Sequence, residues 1–229
     1  MVKSSIISRL LSINLLFIFL LLFSASTIPV EAGDITNGTS IVNIYTTSDN
    51  SVERRVALNA LSDVVVQRGS ETPQWVSDLL IKALDDKSPV VVNAAVYQIA
   101  NFELAGMTQK LISLYSEVEK KFSSAYAKRV QYSIVPALGK TGGTEATTFL
   151  SDLLAKDNGT LMGRFLLVAI KDLNDNALVD KVNEYKVKME GLVKFARAKN
   201  YDPLIYSRKL MYIDLALDVE KSLASKGGK

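Results

Sequence analysis

Carboxylates are the only catalytic groups that this chain offers in clusters. They gather at Asp85-Asp86 and at Asp172, Asp175 and Asp180. Two convergent acids can divide general-acid and general-base work between them, as in glycoside hydrolysis. Adjacent acids in a turn more often cap a helix, where an anion meets the unpaired N–H groups of the first turn, and none of these stands in an unusual local context. A calcium loop needs oxygen ligands at alternate positions, a central glycine and a closing glutamate; Asp172-Leu-Asn-Asp-Asn176 has neither of the last two. Gly139-Lys-Thr-Gly-Gly143 contains the Gly-Lys-Thr of a phosphate loop but lacks the earlier glycine and the preceding strand, so it reads as a helix stop. Composition closes most other routes. The chain has no Cys and no His, which removes disulfides, thiolate nucleophiles, zinc sites built on either residue and Ser-His-Asp triads. No catalytic residue, metal ligand or cofactor is assigned, and the expectation is a binding protein rather than an enzyme. A carboxylate-dependent enzyme acting outside the cytoplasm is the remote alternative.

The elements that would position any such residues recur. Asp49-Asn-Ser-Val-Glu-Arg-Arg-Val-Ala-Leu-Asn-Ala-Leu61 is echoed by Asp86-Lys-Ser-Pro-Val-Val-Val-Asn-Ala-Ala-Val-Tyr-Gln-Ile-Ala100, and more loosely by stretches starting at Arg129 and Asp157. Aligning Leu61, Ile99, Leu138 and Leu173 gives steps of 38, 39 and 35 residues. A period of this size marks stacked helical hairpins, none of which buries its apolar face alone. Apolar spacing predicts second helices over 52–67, 89–102, 124–140 and 160–173, and first helices over 73–84, 107–122 and 144–156. Ser51 is the expected N-cap of the first, and Pro136 predicts a kink. A stretched last hairpin is expected over 177–199 and 202–224, since Arg164 to Arg208 is a step of 44.

Four segments follow. Residues 1–32 read as a signal peptide: Lys3 and Arg9 precede the apolar run Leu10 to Phe23, and small residues lead to cleavage after Ala32. An uncleaved anchor stays open, because nothing from Leu10 to Val30 is charged. Either way the remainder is expected to be exported, to a periplasm or to the medium. With no cysteine after the apolar run, lipoprotein attachment is excluded. Residues 33–48 are a polar linker or N-terminal cap in which Ile41 to Tyr45 cover the first hairpin. Residues 49–225 are the helical repeat domain, and 226–229 a flexible tail. Removing 1–32 lowers the net charge from +3 to +2, too weak an average for a nucleic-acid partner. Membrane contact is expected only through a retained anchor.

An aspartate, a short gap, a hydrophobic residue beside arginine, then Ala-x-x-Ala-Leu resembles the inner helix of a HEAT repeat. Asp49, Val52, Arg54 or Arg55, Ala57, Ala60 and Leu61 carry the likeness, with Asp86, Val90, Ala95 and Ile99 in the second unit, where Asn93 replaces the usual arginine. Arg129, Ala137 and Leu138 continue it, then Asp157, Arg164 and Ala169. The resemblance covers about 49–173. It implies an all-α, right-handed α–α superhelix, a HEAT/armadillo-like solenoid of about four to five hairpins. It also implies that Asp49, Asp86, Asp157, Arg129 and Arg164 form a ladder tying neighbouring units together. HEAT-like phycobilin lyases share the pattern, but their intracellular setting conflicts with the export signal.

In such a solenoid the inner helices line one common surface. The candidate residues for a protein or peptide partner there are Arg55, Asn59, Asn93, Tyr97, Lys128, Gln131, Tyr132 and Lys171. Tyr201 to Leu217 leaves little polar face for one helix, which points to a partner-binding edge or to self-association through the C-terminal hairpin. A structural envelope component is the second reading.

Overall fold

The computed structural model describes residues 37–66 and 69–225. The expected signal peptide 1–32 and the tail 226–229 lie outside the described residues. Among the described residues there is no strand, and the chain forms eleven α-helices packed together. They are α1 (Gly38–Thr47), α2 (Ser51–Asn59), α3 (Leu61–Val64), α4 (Gln74–Leu84), α5 (Pro89–Asn101), α6 (Thr108–Lys121), α7 (Ser124–Thr141), α8 (Thr144–Lys156), α9 (Leu161–Leu173), α10 (Val179–Ala198) and α11 (Pro203–Ala224).

Packing follows chain order. Each helix of the pairs α1–α2, α4–α5, α6–α7, α8–α9 and α10–α11 lies against its partner, making five hairpins. The second helices also pack on one another in sequence, α2 on α5, α5 on α7, α7 on α9 and α9 on α11, and α8 touches both α6 and α10. One apolar cluster runs through all five, from Ile41 to Leu223.

Within the polar stretch 33–48, the described residues 37–48 are mostly helical. Asn37 accepts a hydrogen bond from the Ser40 N–H at 3.0 Å, opening α1, and Ile41 and Tyr45 are buried against the first hairpin. The next cap is Asn50, not Ser51 or Asp49: its side chain accepts from the Val52 N–H at 2.9 Å. The single helix expected over 52–67 is broken at Ala60 (ψ −12°) and finished by Val64, with Val65 extended. Helix α7 passes through Pro136 without interruption.

Two glycines set how closely the second helices approach. A Cβ on Gly139 of α7 would lie 2.8 Å from the Ala169 Cα of α9, so the two backbones meet there with no room for a methyl group. A Cβ on Gly163 would collide with the Tyr185 hydroxyl and sit 2.6 Å from the Asp157 carboxylate. The first contact brings α9 against α7, and the second brings the start of α9 against α10.

The last hairpin is longer than the rest: α10 has 20 residues and α11 has 22, against 13 in α9. Its alignment with hairpin four is fixed by side-chain contacts. The Lys188 ammonium donates to the backbone carbonyls of Ala155 (3.0 Å) and Asp157 (2.7 Å), at the end of α8. Lys209 lies over Gly159, and Lys171 at the end of α9 pairs with Asp218. Residues beyond Met189 on α10 and before Lys209 on α11 therefore run past hairpin four. At 1.5 Å per residue the overhang is about 15 Å.

Candidate functional site

At the first junction, charge is spent on holding hairpins together. Arg54 is 6% exposed and forms a two-pronged ion pair with Asp86, Nε to Oδ2 at 2.8 Å and Nη2 to Oδ1 at 2.9 Å, while Nη1 donates to the Ser48 carbonyl at 3.0 Å. Asp86 also accepts from the Ser88 N–H at 2.8 Å, opening α5. Burial alone would raise the Asp86 pKa, but the hydrogen bonds from Arg54 and Ser88 outweigh it and hold the carboxyl below its ordinary value. The hydrogen bond to Asp86 in turn raises Arg54. Tyr45 beside them is pushed up to about 12, first by burial and then by the Asp86 charge. A second network backs this junction: Ser62 donates to Gln98 at 2.8 Å, and Asn101 donates to Ser62 at 2.8 Å.

The expected ladder does not continue in that form. Arg129 is exposed and lies over the Tyr126 ring at 5.8 Å. Asp157 is buried, but its partners are the Gly159 N–H and the Tyr185 hydroxyl, each at 2.8 Å, and the Thr160 hydroxyl. Burial and the hydrogen bond to Asp157 raise the Tyr185 pKa well above its usual range. Among the described residues Arg164 pairs with none of the aspartates. A loop aspartate is satisfied more cheaply by local N–H groups and a tyrosine than by a distant arginine that would lose rotamer freedom. The other carboxylates have structural uses too. Asp172 meets Lys140 at 3.3 Å. Asp175 accepts from Thr147 at 2.6 Å and the Ala177 N–H at 3.0 Å, which lowers its pKa. Among the described residues no three acids converge on a point.

Along the second helices, the nominated residues separate into those facing a shared surface and those engaged elsewhere. Arg55 is half-buried, and its Nε has no hydrogen-bond partner. Asn93 accepts from Ser133 of α7 at 2.7 Å, and the neighbouring Tyr132 stacks on Phe165 of α9 with ring centroids 5.1 Å apart. A row therefore passes from α5 through α7 to α9. Asn59 and Tyr97 lie exposed on adjacent helices, Tyr97 at 63%. Lys128 is exposed on α7. Gln131 turns instead toward α6, donating to the Tyr115 carbonyl at 3.3 Å and reaching Glu119 at 3.5 Å. Lys171 is held by Asp218 at 2.6 Å.

The sequence reading missed what lies at the α9–α11 end of the row. Tyr212 is fully buried, and its hydroxyl has no hydrogen-bond partner. Burial raises its pKa most; the charges of Arg208 and Arg164 pull it down, and those of Asp157 and Tyr132 push it up. Arg208 stands one helical turn before Tyr212, so the two share a face of α11. Neither Arg164 nor Arg208 forms an ion pair or side-chain hydrogen bond among the described residues. Arg164, Arg208 and Tyr132 thus lie near enough to Tyr212 to act on its hydroxyl. Tyr212 sits within an apolar run, which hid a polar group that the fold leaves unsatisfied.

No family model, no curated protein and no solved structure matches this chain. The reading of function rests on the chain's own chemistry.

Proposed function

We propose that this chain is an exported, non-enzymatic binding module of the HEAT-like solenoid type. Its five hairpins would wind as a right-handed α–α superhelix, and its second-helix surface would recognise a protein or peptide partner. The ordered packing of α2, α5, α7, α9 and α11 supports the solenoid reading. One observation carries the binding reading: the row ends in two guanidinium groups, Arg164 and Arg208, that pair with no carboxylate among the described residues. Arg164 is half-buried and Arg208 exposed, so both are open to a ligand acceptor. Guanidinium groups match carboxylates in two-pronged geometry, and an aromatic stack beside them gives an apolar side chain a flat contact. The chemistry fits an extended segment carrying Asp or Glu next to an apolar or aromatic residue.

The test is a peptide array of varied charge, probed with the full chain and with an R164Q/R208Q variant. Acidic peptides should be retained, salt should weaken them, and the double variant should bind about tenfold or more weakly. Retention without regard to charge, or equal binding by a folded R164Q/R208Q protein, would overturn the reading.

A further inference from the structure

The overhanging end of the fifth hairpin differs in chemistry from the rest of the molecule. Residues 190–208 hold four cations (Lys194, Arg197, Lys199 and Arg208) and two carboxylates, Glu190 and Asp202. The local excess is +2 of the chain's +3, so outside this tip the protein is close to neutral. Asp202 is occupied in capping α11, accepting from the Leu204 N–H at 2.8 Å.

The tip also exposes its largest apolar side chains: Leu204 at 80%, Ile205 at 60%, Phe195 at 55% and Tyr201 at 46%. These are not frayed positions. The Tyr201 N–H donates to the Ala196 carbonyl at 3.0 Å, closing the turn. Phe195 and Tyr201 meet edge to face at 6.4 Å. Arg197 lies over Tyr206 at 5.7 Å, and Lys199 over Phe195 at 6.0 Å. The result is an ordered turn with two aliphatic side chains at its start, aromatic rings behind them and cations around the rings.

We infer that this hairpin tip docks on an anionic lipid bilayer. Three features select that occupant. Leu204 and Ile205 have no role against a polyanion in water, but they gain free energy on entering the acyl boundary. Aromatic rings with a polar edge favour the headgroup level. Lysine and arginine beside a bilayer gain from the negative surface potential, and their aliphatic stems let the charge stay at the headgroups while the tip enters. The overhang past hairpin four lets the tip reach the surface before any other hairpin obstructs it. Among the described residues no helix is long and apolar enough to cross a membrane, so the contact is interfacial.

The chain has no native cysteine, so one residue can be labelled cleanly. An environment-sensitive dye on L204C in the full chain should shift to the blue with vesicles of mixed phosphatidylglycerol and phosphatidylcholine, and not with phosphatidylcholine alone. The same dye on D63C, in the first hairpin, should not respond to either. Changing Lys194, Arg197 and Lys199 to Gln should reduce partitioning on the order of a hundredfold. The dye reports residue 204 alone, so attachment through the apolar segment 10–30 does not mimic the response. No shift with anionic vesicles, or an equal shift with neutral ones, overturns the inference. So does an equal response at D63C. A shift on raising protein concentration without lipid would assign the surface to a second copy of the chain. A shift with RNA or polyglutamate would assign it to a soluble polyanion.

Discussion

The junction of the first two hairpins and the far end of the fifth handle charge in opposite ways. At the junction the Arg54–Asp86 pair is matched throughout: Arg54 meets Asp86 twice and the Ser48 carbonyl once, and both side chains are more than nine-tenths buried. At the far end, Arg164, Arg208 and the Tyr212 hydroxyl lack partners, and Leu204 and Ile205 stand in solvent. One end uses polarity to fix the distance between repeats. The other holds polar and apolar groups that find no partner among the described residues. The contrast separates residues that build the stack from residues that act for it.

The largest test of that contrast is Asp86→Ala. It leaves Arg54 charged and buried without its acceptor, and removal of one partner from such a pair costs about 3–5 kcal/mol. Urea denaturation of the variant should show a midpoint lowered accordingly. R54M with D86N, which retains an acceptor for the Ser88 N–H, should recover most of the loss, because two neutral groups need no pairing. Acid offers the same test without mutation. The folded Asp86 pKa lies below its ordinary 3.8, so the unfolded chain takes up the proton first. The stabilisation is complete above the unfolded pKa and is lost as pH falls through the lower folded value. A denaturation midpoint that stays level from neutral pH down through that range would contradict the assignment.

Two tyrosines sharpen the comparison at the next scale. Tyr185 donates to buried Asp157, so Tyr185→Phe strips a carboxylate of a donor and should cost about 1.5–3 kcal/mol. Tyr212→Phe deletes a hydroxyl that pairs with nothing; it should leave stability within about 1 kcal/mol or improve it. Equal losses in thermal melts of the two variants would mean that Tyr212 is as structural as Tyr185. Between these effects falls Gly139→Ala, which forces α7 from Ala169 of α9 and should cost about 1–3 kcal/mol.

What the sequence disclosed follows the range of the interactions. Helices over 89–101, 124–141 and 144–156 were legible because apolar spacing and local stop signals act within one element. The break at Ala60 was not, since the apolar spacing runs through it with no local stop signal. The choice between Arg54 and Arg55 was invisible, because it depends on which of two adjacent side chains faces the next hairpin. Gln131 looked like a surface residue until α6 supplied a carbonyl for it. The C-terminal basic tip was masked by averaging: a net charge of +3 spread over 229 residues looks weak, and only the alignment of α10 and α11 against hairpin four shows that its cations project together.

The smallest expected effect is the most discriminating for the shared surface. Lys171 and Asp218 join the second helices of hairpins four and five at 2.6 Å, yet their side chains are 42% and 61% exposed. Water screens such a pair, and holding two flexible side chains in place offsets much of its attraction, so Lys171→Ala should change stability by less than about 0.5 kcal/mol. Arg54 makes the same kind of link between hairpins one and two and should be worth several times more when its acceptor is removed, because it is buried. If Lys171→Ala destabilises as strongly as Asp86→Ala, exposure does not distinguish the two ends and the proposed division between them fails. A negligible loss, with acidic-peptide binding intact, would place Lys171 in neither role and narrow the binding surface to Tyr132, Arg164 and Arg208.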